Sequence, residues 1–175
     1  MSPHSIYPEI HGGAVHSVVF FKAPASDGDK KAAVYFKDSA SADRFAAWHK
    51  RQPIRLMGFK LSVSREFPQE VQDVFASQHL EPFRADETRC LVMKGLPENR
   101  YPAVSISRWI DNQLPKKNTI ENIEFDHSTA TAYLRFTSIR AARFAMSDLV
   151  RAKAQNTDWS HCRIEFTSDP CGFVC

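Results

Sequence analysis

One strand-like run and its neighbours carry side chains that could act together on a flat, charged ligand. In TATAYLRF, residues Thr129 to Phe136, strict alternation turns Ala132, Leu134 and Phe136 toward a core and leaves Thr129, Thr131, Tyr133 and Arg135 on the other face. The same count puts Val92 and Lys94 of RCLVMKGL, and Arg163 and Glu165 of RIEF, on a matching face. A phenol ring flanked by Lys94, Arg135 and Arg163 can stack on a planar group while the cations meet anions. The two threonine hydroxyls can add hydrogen bonds, and Val92 an apolar contact.

Other chemistry finds no support. Cys171 and Cys175 of CGFVC are two thiols without a matching pair, short of the ligand set of a structural zinc, so no metal is expected. His49, His127 and His161 fall at expected loops or element ends. No Ser/His/Asp order, carboxylate pair or nucleotide-cradling glycine loop stands out, and VMKGLP is a strand end and not a phosphate loop. The expectation is a non-catalytic chain with no cofactor and no small-molecule substrate.

The 175 residues are 43% hydrophobic and 11% aromatic, enough to fill real cores. Four cysteines in a chain of this length make no disulfide framework, and Cys90 and Cys162 sit in apolar runs as small hydrophobes. The opening MSPHSIYPEI has no secretory pattern, and no apolar run is long enough to span a bilayer. A soluble intracellular protein, with no membrane partner, is expected. Residues 1–67 hold ten Lys/Arg against six Asp/Glu, and residues 88–168 hold twelve against eight. Residues 68–87 hold one Arg against five acids, an acidic connector between two mildly basic units. That connector contains Val71, Val74 and Phe75 at helical spacing, and its apolar side is expected to pack on one of the units.

Internal repetition supplies the elements. KKAAVYFKDSASADRFAAW and ATAYLRFTSIRAARFAM align at an offset of 100, with Phe36 on Phe136, Ala42 on Ala142 and Phe45 on Ala145. Each reads as a strand ending in Phe, a polar turn and a helix. Upstream, Val15, Val18 and Phe20 match Ile120, Ile123 and Phe125. Downstream, Phe59, Leu61 and Val63 match Cys162, Ile164 and Phe166 with a strand's period of two. The second copy has a further strand, residues 89–96, and a helix SISRWIDNQL that Ser105 can cap and Pro115 stops, with Ile106, Trp109 and Ile110 turned inward. Its order is β-α-β-β-α-β: an α+β, ferredoxin-like split βαβ sandwich with a four-stranded antiparallel sheet and two helices.

That order, with LVMKGL in the first strand and TATAYLRF in the third, resembles the RNA recognition motif (RRM). The resemblance covers residues 88–168 as a complete copy and residues 8–66 as a partial one. Ala132, Tyr133, Leu134 and Phe136 fit the family's octamer; Thr129 and Thr131 replace its basic residue and first ring, and Val92 replaces the ring of the hexamer. The tail RIEFTSDPC is similar to fungal multi-copy RRM regulators, including the negative-regulator-of-differentiation type. The domains expected are a partial copy over 1–67, an acidic linker over 68–87, a complete copy over 88–168 and a tail over 169–175. The first copy lacks its opening strand, which belongs in the centre of the sheet; residues 1–13 read as the end of a helix and a Gly12-Gly13 loop, so either upstream residues supply the strand, the favoured reading, or something else occupies its slot.

The resemblance implies single-stranded RNA as partner and a role in post-transcriptional regulation or mRNA processing. Tyr133 would stack a base, Arg135 and Arg163 would contact phosphate or stack, and Thr129 and Thr131 would hydrogen-bond, with Lys94 and Val92 on the same face. On the first copy, Phe21, Lys31 and Tyr35 are expected on the open face, Phe21 and Tyr35 as an off-centre stacking pair. The alternative is a protein-interaction module, docking a partner on the sheet or on the helix face of Arg140, Arg143, Arg151 and Lys153.

Overall fold

Alternating apolar residues make β1 (Val15–Lys22) and β2 (Lys30–Phe36), which pair antiparallel so that Val18, Ala32, Val34 and Phe36 face one core. The structure is a computed structural model describing residues 6–22, 30–56, 58–65, 83–97, 108–110, 112 and 120–170. The chain divides into two compact units, one of Met1–Arg84 with Asp169–Cys175, the other of Ala85–Ser168.

In the first unit, α1 (Ser39–Arg51) starts where Asp38 accepts the Ser41 N–H at 2.7 Å, satisfying a donor that the first turn cannot pair internally. The helix lays Phe45 on Val15, Val18, Ile10 and Ile54. A 3-10 turn, Tyr7–Glu9, precedes β1. Gly12 stands at φ +100°, and a β-carbon there would lie 3.1 Å from the Phe45 nitrogen, so the loop can run close under the helix. Phe20 shares the core-side face with its partner Ala32, as expected, but is exposed at the far end of β1.

The expected last strand of this unit is only partly formed. β3 (Arg55–Leu56) and β4 (Phe59–Lys60) make a two-rung hairpin, and Leu61 to Arg65 join no ladder. Leu61 and Val63 still pack on the core, and the Leu61 N–H donates to the Ile54 carbonyl at 2.9 Å just beyond the hairpin's rungs. Among the described residues no other strand pairs with Leu61 to Arg65.

The second unit carries β5 (Cys90–Lys94), β6 (Ile120–Asp126), β7 (Thr131–Phe136), α2 (Ile139–Ala154) and β8 (Arg163–Phe166). Its sheet is antiparallel in the order β6-β7-β5-β8, the arrangement of the split βαβ sandwich. Residues 108–110 and 112 are helical between β5 and β6, the remainder of the expected 105–114 helix lying outside the described residues. Ile110 enters the core, and Trp109 stacks on Trp159 with centroids 4.0 Å apart and planes at 11°. Leu91, Met93, Ala132, Leu134 and Phe136 form the sheet side of that core, with Ala142, Ala145 and Leu149 of α2 above them. Ser138 caps α2 through the Ala141 N–H at 3.1 Å, as Asp38 caps α1.

The two units share a register as well as an order. Val15 faces Phe36 and Ser17 faces Tyr35, leaving His16 as an extra residue; Ile120 faces Phe136 and Asn122 faces Arg135, leaving Glu121 as one. The three-residue spacings Val15–Val18 and Ile120–Ile123 are therefore the same β-bulge in both halves.

The Asp38 cap gives a prediction with a pH sign. Hydrogen bonds from the Ser41 hydroxyl and then its amide hold the Asp38 carboxyl below the usual carboxylate value. A depressed folded value means the cap's contribution is present above the unfolded value, about 3.9, and is lost as pH falls through the folded one. Asp38→Ala should cost about 1 kcal/mol in the protection of the first α1 amides at neutral pH. The wild-type and variant exchange rates should converge below the folded value; a gap that persists in acid would contradict the capping role.

Candidate nucleic-acid interface

Cross-strand partners in an antiparallel sheet share a face, so the ladder registers of the second unit assemble its open side row by row. Glu124, Tyr133, Val92 and Glu165 form one row across β6, β7, β5 and β8. Asp126, Thr131, Lys94 and Arg163 form the next, and Asn122, Arg135 and Cys90 the one beyond. Tyr133 is 43% exposed and is the only large hydrophobic side chain so exposed on this sheet among the described residues. The structure thus brings Tyr133, Lys94, Arg135 and Arg163 to one face.

Its electrostatics differ from the basic platform the sequence suggested. Lys94 Nζ lies 3.0 Å from Glu165 Oε2, and Arg135 Nη2 lies 3.2 Å from Glu124 Oε1. Arg135 Nη1 also lies 3.4 Å from Glu121. Arg163 is exposed and forms no ion pair among the described residues. Three cations therefore share the face with three carboxylates, Glu124, Asp126 and Glu165, a balance visible only once register sets neighbours side by side.

Three further expectations change. Val92 is on the open side but only 4% exposed, hemmed by Tyr133 and Glu165 on either hand. Thr131 is buried too, and its hydroxyl donates to the Thr129 carbonyl at 3.1 Å. Thr129 is not a strand residue; it lies in the β6–β7 turn, where its hydroxyl donates to Asp126 at 2.7 Å. Asp126 also accepts the Ser128 hydroxyl and amide, at 2.6 and 2.9 Å. The Ser128 and Thr129 hydroxyls hold its carboxyl below the ordinary range. An Asp followed by polar hydroxyl residues is a turn signal, and it marks this boundary in the sequence.

On the first unit, Lys31 is exposed and its backbone pairs with Phe21, whose side chain lies outside the described residues. Tyr35 shares the face of Ser17 and Ala33, as alternation requires, yet is only 8% exposed, and burial raises its phenol pKa. At this end of the sheet Phe83 packs on the bulge residue His16, centroids 5.4 Å apart, and lies 4.9 Å under Lys37 Nζ. The face is closed there, which alternation alone does not reveal.

Sequence reasoning missed the most buried polar group of the second unit. Arg89, 0% exposed, pairs with Glu121 and donates to the Phe136 carbonyl at 3.3 Å. Glu121 reaches it because the bulge gives β6 its extra residue; the Ile120–Ile123 spacing was the available signal. His49, expected at an element end, is the buried third-from-last residue of α1, with Nδ1 2.9 Å from the Gln52 carbonyl and Nε2 3.2 Å from that of Glu9. Val71, Val74, Phe75, Cys171 and Cys175 lie outside the described residues. No helix among the described residues is long and apolar enough to cross a membrane.

No family model and no curated protein matches the chain. Among solved structures, the first and second RNA recognition domains of Sex-lethal from Drosophila melanogaster are similar at 16% identity and a TM-score of 0.31, covering 95% of this chain and 92% of that one. The first two RRM domains of the yeast poly(U)-binding protein are similar at 14% identity and a TM-score of 0.32, covering 97% of this chain and 93% of that one.

Proposed function

We propose that the chain is a non-catalytic binder of single-stranded RNA, working through the open sheet face of Ala85–Ser168 in post-transcriptional regulation, as in multi-copy RRM regulators. The observation that carries this reading is Tyr133, a solvent-facing ring on a central strand with Lys94, Arg135 and Arg163 around it. Tyr133 stacks one base, Arg163 meets a phosphate directly, and Lys94 and Arg135 meet phosphate by exchanging their carboxylates. Such an exchange is inexpensive for Lys94, since an exposed ion pair is worth about 0–1 kcal/mol. The buried Tyr35 adds no ring, so the reading rests on the second unit.

Tyr133→Ala is expected to weaken binding of short fluorescent RNAs by about 1–3 kcal/mol. Few cations are available, so the salt dependence should be shallow, with a slope of about −1 to −2 in log K against log salt. The second reading, docking of a protein, is favoured by the charge-balanced face and by the exposed Phe144 and Val150 of α2, with the Arg140 guanidinium 5.6 Å over the Phe144 ring. Titrations showing no RNA bound above the non-specific level would transfer the case to it.

A further inference from the structure

We infer that the base held on Tyr133 carries an exocyclic amino group, so that adenine, cytosine or guanine is taken in preference to uracil; this rests on the RNA reading above. Tyr133 stands in a row with a glutamate on either side: Glu124 directly opposite on β6, and Glu165 across Val92 on β8. With strands about 4.8 Å apart, the Glu124 β-carbon is about 5 Å from that of Tyr133 and the Glu165 β-carbon about 10 Å away on the other hand. Both carboxylates reach solvent, their side chains 61% and 49% exposed.

Each has acceptor capacity left. Glu165 Oε2 takes Lys94, and Glu124 Oε1 takes Asn122 Nδ2 at 2.6 Å and Arg135 Nη2. Glu165 Oε1 and Glu124 Oε2 carry no hydrogen bond among the described residues. An ionised carboxylate only accepts, so it draws a base edge that donates. Adenine and cytosine offer an amino group, and guanine an amino group beside a ring N–H. Uracil offers two carbonyl oxygens around one N–H, and within the row of Tyr133 those oxygens meet two carboxylates and no donor, the cations Lys94, Arg135 and Arg163 standing in the rows on either side. Thr131, the nearest neutral hydroxyl on the face, has spent its proton on Thr129. The same two glutamates repel phosphate, so discrimination comes with modest affinity.

The test titrates the full chain with fluorescein-labelled hexanucleotides of adenine, cytosine and uracil, using wild type, Tyr133→Ala, Glu124→Gln, Glu165→Gln and the double Gln variant. Wild type is expected to bind the adenine and cytosine oligomers about tenfold more tightly than the uracil oligomer. An amide both donates and accepts, so the double Gln variant should bind all three more tightly and discriminate less than about twofold. Equal wild-type affinities, with Tyr133→Ala still weakening each, would overturn the base preference and leave RNA binding standing. An amino-base preference unchanged in the Gln variants would likewise overturn it. Absence of binding, or indifference to Tyr133→Ala, would remove the RNA reading and this inference together.

Discussion

Replacing Glu121 with alanine should destabilise the unit Ala85–Ser168 by about 3–5 kcal/mol, more than any change on its open face. Arg89 is fully buried, and the substitution removes a buried carboxylate that pairs with its guanidinium. Arg89→Met should cost less, because Glu121 keeps a second cation, Arg135 Nη1, at 3.4 Å. The double variant Arg89→Met with Glu121→Leu removes both charges and should recover much of the loss, since paired buried ions are often replaceable by apolar volume. Urea unfolding of the three variants, followed by the fluorescence of the stacked Trp109–Trp159 pair, checks the order. Equal losses for the two single variants would mean that Arg135 gives Glu121 no support.

The second large effect is expected at Phe136. Its ring is fully buried between the sheet and α2, and Phe136→Ala should cost about 3–5 kcal/mol, the transfer of the ring plus the void it leaves. Phe36 occupies the equivalent rung opposite a bulge but is only partly buried, 5.4 Å from the Phe45 ring. Phe36→Ala should therefore cost clearly less, in a first unit whose transition is reported by Trp48. Identical penalties at both positions would show that the two units fill their cores alike, contrary to the burial described above.

Much of this fold could be read in the residues. Alternation in VVFF, AAVYF and AYLRF assigns the sheet faces, and the polar turns after Phe36 and Phe136 announce α1 and α2. Position on a face was legible; accessibility was not. Val92 and Tyr35 lie on the faces assigned to them yet are covered, because burial depends on what stands alongside and above a side chain. The pairing of Lys94 with Glu165 and of Arg135 with Glu124 depends on register, which is fixed by contacts between strands far apart in sequence. The Arg89–Glu121 pair required the bulge and the register together. The octamer match reads Thr129 as a strand residue, although Asp126 and Ser128 mark a turn there.

Asp169 follows the whole of the second unit in sequence, yet its buried carboxylate accepts the Val15 N–H at 3.1 Å and so belongs to the first. During synthesis the order of appearance is thus not the order of completion. β1 leaves the ribosome before the second unit, but its Val15 N–H gains this acceptor only after all of Ala85–Ser168 has emerged. The half that is begun first is the half that is finished last.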